Sequence, residues 1–429
     1  MNDRAAARHH RRAAVVAGAG IGGLSAALAC ARAGCAVTLL EAAPAFALFG
    51  AGIQLGPNAT RVLHRWGLEQ PLAAVACAPE RLDIRSAATG APLGGLALGR
   101  RALARYGAPY LTLHRADLHT VLRRAVDATD GIDLRMDRAF AAATLRDTAA
   151  PPGTWPAVVA RTGSTDDGDG RPAVWEGDLL VGADGLWSRT RAQVVGDDTP
   201  PRATGHVAYR ALLAPRDLPA GLPRDGVTVW LGPRLHAVAY PVRGGERINM
   251  VVLLEAGDAD LARFAGVGGT PEQRWSQPWP VEFLHAATAG ACAPLRDAIA
   301  CSAEWRAWPL YDRPPLAGPE AMARGAVALL GDAAPPMLPY LAQGAAMAIE
   351  DAETLGRELS RDAHGPVEEA LARYAGLRWQ RNARVQARAR RNGTIFHADG
   401  LLRWGRDGAM RIGGERLIDL PWLYGGGPG

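Results

Sequence analysis

Ala13-Ala14-Val15-Val16-Ala17-Gly18-Ala19-Gly20-Ile21-Gly22-Gly23-Leu24 decides how the rest of this chain is read. Five small or apolar residues predict a short buried strand over Ala13–Ala17. Leu24 to Ala33 then reads as a helix closed by Gly34, and Cys35 to Leu40 as a second buried strand ending at Glu41. Strand, helix and strand within this length form a right-handed βαβ unit, so the two strands are expected to be parallel. Gly18, Gly20 and Gly23 fall in the turn as G-x-G-x-x-G. The first allows the tight turn, the second lets a pyrophosphate approach the backbone, and the third lets helix pack on strand. Glu41 follows Gly23 by 18 residues, where an acid accepts the hydroxyls of an adenosine ribose. A glutamate there disfavours a 2′-phosphate, leaving a ligand of the FAD or NAD type.

Two further segments have the same form. Asp178-Leu179-Leu180-Val181-Gly182-Ala183-Asp184-Gly185 is a buried strand ending in Asp-Gly, within a strand expected over Trp175–Gly182. Ala326-Val327-Ala328-Leu329-Leu330 is another, ending at Gly331-Asp332. Three prolines follow, at 335, 336 and 339, and a strong helix former begins after Gln343-Gly344. A carboxylate at a strand end facing a helix N-terminus suits a ligand with both hydroxyls and an anionic end. Small residues at Gly344, Ala345 and Ala346 let such a ligand reach the backbone.

Between these segments the pattern changes. Gly226–Leu231, Leu235–Val242 and Arg247–Leu254 alternate or run apolar, and Gly244-Gly245 joins the last two, a hairpin signal. This predicts an antiparallel sheet interrupting the nucleotide domain. Leu118–Ala128 and Pro366 to about Gly393 read as helices, Thr154–Ala160 as a strand, and Gly163–Gly170 as a disordered turn. The glycine-rich tail, Gly425–Gly429, reads as disordered too. The expected domains are 13–80, 110–200 and 306–360 for the nucleotide ligand, 81–109 and 201–305 for a substrate, and 361–424 as a C-terminal helical region.

Composition removes several functions. The chain has 429 residues and 48 basic side chains, all arginine, so Schiff-base catalysis and a P-loop lysine are excluded. A net charge of +5, spread along the chain, gives no support to nucleic-acid binding. Arg388-Ala389-Arg390-Arg391 reads as a solvated helix face. Five cysteines without a CxxC pair read as reduced thiols of a cytoplasmic protein, and ten scattered histidines show no metal-ligand spacing. The basic start, Arg8 to Arg12, looks like a signal peptide only until the glycines of the next segment are counted. No uninterrupted membrane span is expected.

In their order along the chain, these three motifs resemble the single-component FAD-dependent aromatic hydroxylases, the family of p-hydroxybenzoate hydroxylase. The branch most similar is that of salicylate hydroxylase, 3-hydroxybenzoate 6-hydroxylase and 6-hydroxynicotinate 3-monooxygenase. Gly50–Ala59, His114–Leu118, Trp308–Arg313 and Trp422–Tyr424 carry the likeness further. It implies an α/β fold: a Rossmann-like FAD-binding domain interrupted by an antiparallel-sheet substrate domain, with C-terminal helices. It implies that Gly18, Gly20 and Gly23 hold the FAD pyrophosphate, Glu41 the ribose, and that Arg115 reaches the cofactor. Asp332 would hold ribityl or pyrophosphate-side oxygens, and the backbone of Gly344, Ala345 and Ala346 would face N1 and O2 of the flavin ring. Asp184 would brace the flavin and nicotinamide sites or be purely structural. The family's chemistry is reduction of FAD by NADH or NADPH, then reaction with O2 to a flavin C4a-hydroperoxide that hydroxylates a small, phenol-activated aromatic ring.

A base that removes the phenolic proton accelerates such a step. In Leu235-His236-Ala237-Val238-Ala239-Tyr240-Pro241, alternation sets His236, Val238 and Tyr240 on one face. A lone strand histidine is ordinarily a core residue bonded to backbone, but His236 matches the family's base position, which makes His236 and Tyr240 the catalytic candidates. Arg210 suits a substrate carboxylate or a structural ion pair equally; His206 and His64 read as structural. Pro335 and Pro339 depart from the branch, which carries histidine and, in its 3-hydroxybenzoate members, glutamine there. A flavoprotein reductase or uncoupled NAD(P)H oxidase of this fold, and a non-catalytic flavin-binding regulatory protein, are the alternative readings. A homodimer stays open as the assembly.

Overall fold

In the computed structural model, residues 11–46, 51–145, 157–165, 172–197, 199–220, 222–257 and 280–427 are described. Residues Arg8–His10, Gly50, the start of the Thr154 strand, most of the Gly163 turn and the last two residues fall outside these.

The opening segment folds as its pattern demands. Ala13–Ala17 lies between Ala36–Leu40 and Leu179–Gly182, parallel to both. Val327–Leu329 and Ile132–Arg135 extend the parallel sheet on either side, and the short Ala323–Arg324 closes one edge antiparallel. Its central strands are apolar throughout because both faces are covered, one by the first helix and the other in part by the three-stranded antiparallel sheet, whose Val158 and Ala160 share a core with Val15 and Val16. The first helix spans Ile21–Arg32, three residues earlier than expected, since Gly20 itself forms its N-cap. It packs on the later helix Gly344–Arg361 so closely that a Cβ on Gly356 would lie 2.8 Å from the Ala29 carbonyl oxygen.

The Trp175–Gly182 strand is two strands. Pro172–Gly177 joins a three-stranded antiparallel sheet with Val158–Thr165 and Phe140–Leu145, whereas Leu179–Gly182 enters the parallel sheet. The break falls at Asp178, whose carboxylate accepts the Ala13 N–H at 2.7 Å. The chain crosses between layers there, at Gly177, where a Cβ would meet the Ala13 carbonyl at 3.0 Å.

A seven-stranded sheet forms the second layer, in the order Arg306–Asp312, Arg202–Leu213, Arg247–Glu255, Leu235–Val242, Val227–Gly232, Arg81–Ser86, Pro92–Ala97. It is antiparallel except where Val227–Gly232 meets Arg81–Ser86 in parallel, a pair that alternation alone does not reveal. Arg306–Asp312 belongs to this sheet, so the boundary expected at residue 306 is displaced beyond this strand. One face carries Leu235, Ala237, Tyr209 and Met250 into a core closed by the helices Val281–Thr288 and Ala293–Ala300. The other face turns toward the nucleotide layer.

The long helix Val367–Phe396 ties the layers together. Its Arg378 is 3% exposed and pairs with Glu350 and Asp351, each at 2.7 Å. The arginine run is not a simple solvated face: Arg390 pairs with buried Asp312 at 2.8 Å and Ala389 is buried, leaving Arg391 to solvent. The tail is also ordered further than its glycines suggest, because Arg61 donates to the carbonyls of Tyr424 and Gly426. Among the described residues no helix is long and apolar enough to cross a membrane.

Candidate active site

The three motif glycines have separable jobs. Gly18 has φ 91°, and a Cβ there would lie 2.6 Å from the Ala183 carbonyl oxygen. A Cβ on Gly23 would lie 1.7 Å from the Gly18 carbonyl oxygen, so both positions require glycine for the protein's own packing. Gly20 is different: nothing lies within 4 Å of its Cβ position, so the space it leaves faces outward at the helix start. Glu41 accepts the N–H groups of Ala19 at 2.7 Å and Ala43 at 2.9 Å, which fixes the turn from its far side.

Across the groove stand Arg115 and Asp332. Both side chains are exposed to solvent, yet protein crowds each closely enough to shift its titration. That enclosure raises the Asp332 carboxyl above its usual range and lowers Arg115, each offset in part by the other's charge. The helix Gly344–Arg361 begins beside them, and a Cβ on Gly344 would be 3.9 Å from an Asp332 oxygen. The N–H groups of Gly344, Ala345 and Ala346 are first-turn donors without an intrahelical acceptor. Gln343 is held in place by Asn58, whose amide donates to it at 3.0 Å and to Glu350 at 2.7 Å.

Asp184 is engaged within its own loop. Its carboxylate accepts Ser188 Oγ at 2.5 Å, the N–H groups of Arg189 and Thr190, and the Thr190 hydroxyl, and so caps the helix Thr190–Val195. Its Cα abuts Gly18, at 2.9 Å from the Cβ position. Asp184→Ala is expected to lower stability by about 1 kcal/mol, as lost N-caps do. A thermal midpoint that falls while the rate of flavin reduction holds would assign Asp184 to this cap alone.

The inner face of the large sheet supplies the opposite wall. Residues directly paired across antiparallel strands share a face. Arg210 pairs with Val251 and Val251 with Val238, while His206 pairs with Glu255 and Tyr240 with Asn249. His236, Val238 and Tyr240 therefore share one wall with His206, Arg210 and Glu255, as the alternation of the strand requires. Val238, Val251 and Arg210 are only half-buried in the middle of an otherwise buried sheet, which marks an opening above them.

Arg210 is the unusual member. Its guanidinium stacks on Trp308 at 3.6 Å, its Nε has no hydrogen-bond partner, and among the described residues no carboxylate pairs with it. Burial lowers it to about 9, with Tyr240 opposing and Arg115 reinforcing the shift, so it stays a cation at neutral pH. Of the two readings the sequence allowed, the structural ion pair is not found among the described residues.

A glycine-lined turn backed by Glu41, a carboxylate near a helix start and a polar sheet wall make up the candidate site. The family described as FAD binding domain matches residues 11–389. The chain belongs to this family of FAD-dependent aromatic monooxygenases. It is 35% identical over 414 residues to 3-hydroxybenzoate 6-hydroxylase of Polaromonas naphthalenivorans (strain CJ2), covering 96% of this chain and 95% of the relative. It is 35% identical over 383 residues to 6-hydroxynicotinate 3-monooxygenase of Bordetella bronchiseptica (strain ATCC BAA-588 / NCTC 13252 / RB50), covering 86% and 88%. The fold is shared with Klebsiella pneumoniae HpxO, solved with FAD and uric acid, at a TM-score of 0.78 and 24% identity over 96% of this chain and 95% of that one. The groove fits FAD: Gly20 leaves open space at a helix start, and unpaired first-turn donors face the cleft at Gly344.

In this monooxygenase the histidines, scattered in sequence, come together. His236 Nδ1 lies 2.8 Å from His397 Nε2, and His397 Nδ1 lies 3.2 Å from Glu255 Oε1. His206 stacks on His397 at 5.1 Å and hydrogen-bonds through Nδ1 to the Tyr340 hydroxyl. His206, Glu255 and His397 offer donor atoms within 4.8 Å of one another, a gathering that sequence spacing does not show. The two imidazoles are parallel to within 9° and three of these nitrogens already have partners, so the group is a hydrogen-bonded cluster rather than a set of converging metal ligands. Sequence reasoning missed His397 and Tyr340 and set His206 aside. The only sequence signal was Tyr340's place inside the Gly331–Asp351 segment.

Burial holds His236 well below its usual range, aided by His397 and His206. Burial, His206 and Arg406 lower His397 to about 3. Folded, both rings stay neutral below pH 6.5, where the unfolded chain takes up protons. Stability present above about pH 6.5 is therefore lost as pH falls below it, for His397 by about 1.4 kcal/mol per unit down toward pH 3. Denaturant midpoints measured from pH 7 to 4 should fall, and should fall less in His397→Gln.

Proposed function

We propose that this monooxygenase hydroxylates a monocyclic aromatic acid bearing a ring hydroxyl, a phenolic acid or a hydroxylated N-heteroaromatic acid. One observation carries the reading: Arg210, an enclosed cation without a carboxylate partner among the described residues, shares a wall with His236 and Tyr240. Val238 lies two strand spacings from Arg210, roughly 10 Å, with His236 about 7 Å further along the strand, which suits a single aromatic ring held at both ends. The relatives' names, a hydroxybenzoate and a hydroxynicotinate, combine the same two groups.

Gly18, Gly20, Gly23 and Glu41 hold the ADP half of FAD. Arg115, Asp332 and the first-turn N–H groups of Gly344, Ala345 and Ala346 hold the ribityl and ring end. Reduced by NAD(P)H, bound FAD supplies the activation of O2. The chain does the rest. Arg210 orients the acid, neutral His236 takes the phenolic proton, and Tyr240, kept protonated by burial beside Arg210, offers its hydroxyl at the carboxylate end. Free cysteines at all five positions fit a reducing compartment such as the cytoplasm. A homodimer would cover the exposed Leu401, Leu402, Trp404 and Ile412 of the helix Gly400–Gly413.

The test is NAD(P)H and O2 consumption with a panel of hydroxybenzoates, hydroxynicotinates and their neutral amides, with products identified. Hydroxylated product from acids and not from amides is expected. Stimulated oxidation without any hydroxylated product would sink the proposal.

A further inference from the structure

We propose that His397 and Glu255 complete a relay that carries the substrate's phenolic proton from His236 to the protein surface. This rests on the reading of His236 as the base. His236 is 2% exposed, whereas the Glu255 side chain is 33% exposed. Between them lie only two hydrogen bonds, 2.8 Å from His236 Nδ1 to His397 Nε2 and 3.2 Å from His397 Nδ1 to Glu255 Oε1.

The carboxylate at the end of the chain sets every tautomer before it. An ionised Glu255 can only accept, so Nδ1 of His397 carries the hydrogen. A neutral His397 then presents a bare Nε2, which accepts from Nδ1–H of His236. A neutral His236 is left with a bare Nε2, the atom a base needs. Arg234 pairs with the Glu255 carboxylate at 3.4 Å. Backbone ties keep the three in register: Arg234 N–H donates to the His397 carbonyl at 3.0 Å and Glu255 N–H to the Arg234 carbonyl at 2.9 Å.

The surroundings explain why a relay is needed. Around His236 stand His397 and Phe396 from the end of the long helix, Tyr340 from the proline-rich loop and His206 from the neighbouring layer of the wall. Arg406 faces His397 from the last helices. None of these groups carries a negative charge to offset an imidazolium, and burial opposes one. The base therefore cannot keep the proton it takes. The substrate O–H bond breaks as N–H forms at His236 Nε2, the Nδ1 proton passes to His397 Nε2, and the His397 Nδ1 proton passes to Glu255 and then to water. One proton crosses, and no electrons are exchanged with any other group.

The test uses the FAD holoenzyme without NAD(P)H, so that nothing turns over, with 4-hydroxy-3-nitrobenzoate as probe because its phenolate is coloured. Stopped-flow absorbance on mixing reads how fast the bound phenol ionises in wild type, His236→Gln, His397→Leu and Glu255→Gln. The relay predicts that Glu255→Gln and His397→Leu bind the probe within about threefold of wild type but slow its ionisation about tenfold. It also predicts that they slow hydroxylation about tenfold, less than the hundredfold or more lost with a general base. Glu255→Asp should restore most of the rate. A wild-type rate of ionisation in both Glu255→Gln and His397→Leu, with that rate lost in His236→Gln, would overturn the relay and leave the base reading standing. A wild-type rate of ionisation in His236→Gln as well would overturn the base reading. If His397→Leu fails to fold, Glu255→Gln and Glu255→Asp decide alone.

Discussion

Arg210→Met is expected to raise KM for the aromatic acid about a hundredfold or more and to leave the protein at least as stable as wild type. Both halves follow from one fact, that this guanidinium is enclosed and its Nε is unpartnered. An enclosed charge without a partner costs folding energy, and a carboxylate that docks on it recovers that cost on binding. Removing the cation strands the substrate carboxylate in a poorly solvated cleft, a loss of about 3–5 kcal/mol where one partner of a buried pair is deleted. At about 1.4 kcal/mol per factor of ten, that is a hundredfold to a few thousandfold in kcat/KM. Methionine preserves the length and the contact with Trp308, so packing is kept. Arg210→Lys should fall between, because an ammonium keeps the charge but loses the planar fork and the stacking. The control is a neutral phenol: its weak turnover should change little. An equal loss for acid and amide would show that Arg210 supports the wall rather than the carboxylate.

How far the sequence could be read depends on the range of the interaction involved. Gly18 and Gly23 were legible because their constraint is local: each is forced by a backbone oxygen of the same turn or the adjoining strand. The wall shared by His236 and Tyr240 was legible because strand alternation has period two whatever the strand packs against. Arg210's role was not, since two readings differed only in whether a distant carboxylate arrives, and none does among the described residues. His397 lies 161 residues from His236, so nothing in either neighbourhood announces their contact. Arg390 was misread for the same reason: its partner Asp312 is 78 residues away on a strand of the second sheet. The break at Asp178 failed differently. Gly177-Asp178 interrupts the apolar run in the sequence, and only the crossing between two sheets shows that the strand had to stop there.

His236→Gln is expected to cut the rate of hydroxylation by about 10²–10⁴, the range lost with a positioned general base. Glutamine keeps the volume and a polar end but cannot accept a proton at neutral pH. The reductive half of the reaction should survive, since His236 lies on the sheet wall and none of the groove residues touches it. NAD(P)H oxidation would then continue with hydrogen peroxide replacing hydroxylated product, and the ratio of product to NAD(P)H consumed measures the defect directly. The direction of the pH dependence is also fixed. Burial and two neighbouring histidines hold His236 well below its usual range, so in wild type the ring stays neutral, and able to accept, at pH values where a free histidine would be protonated. The acid limb of the hydroxylation rate should therefore lie below pH 6.5, not at it. In His236→Gln the residual rate should climb with pH as more substrate arrives already ionised, and converge on wild type above the phenol's own pKa. Full coupling in His236→Gln at pH 7, or a residual rate flat with pH, would remove His236 from the role of base and shift the search for the proton acceptor to Tyr240, His206 and Glu255, which share that wall.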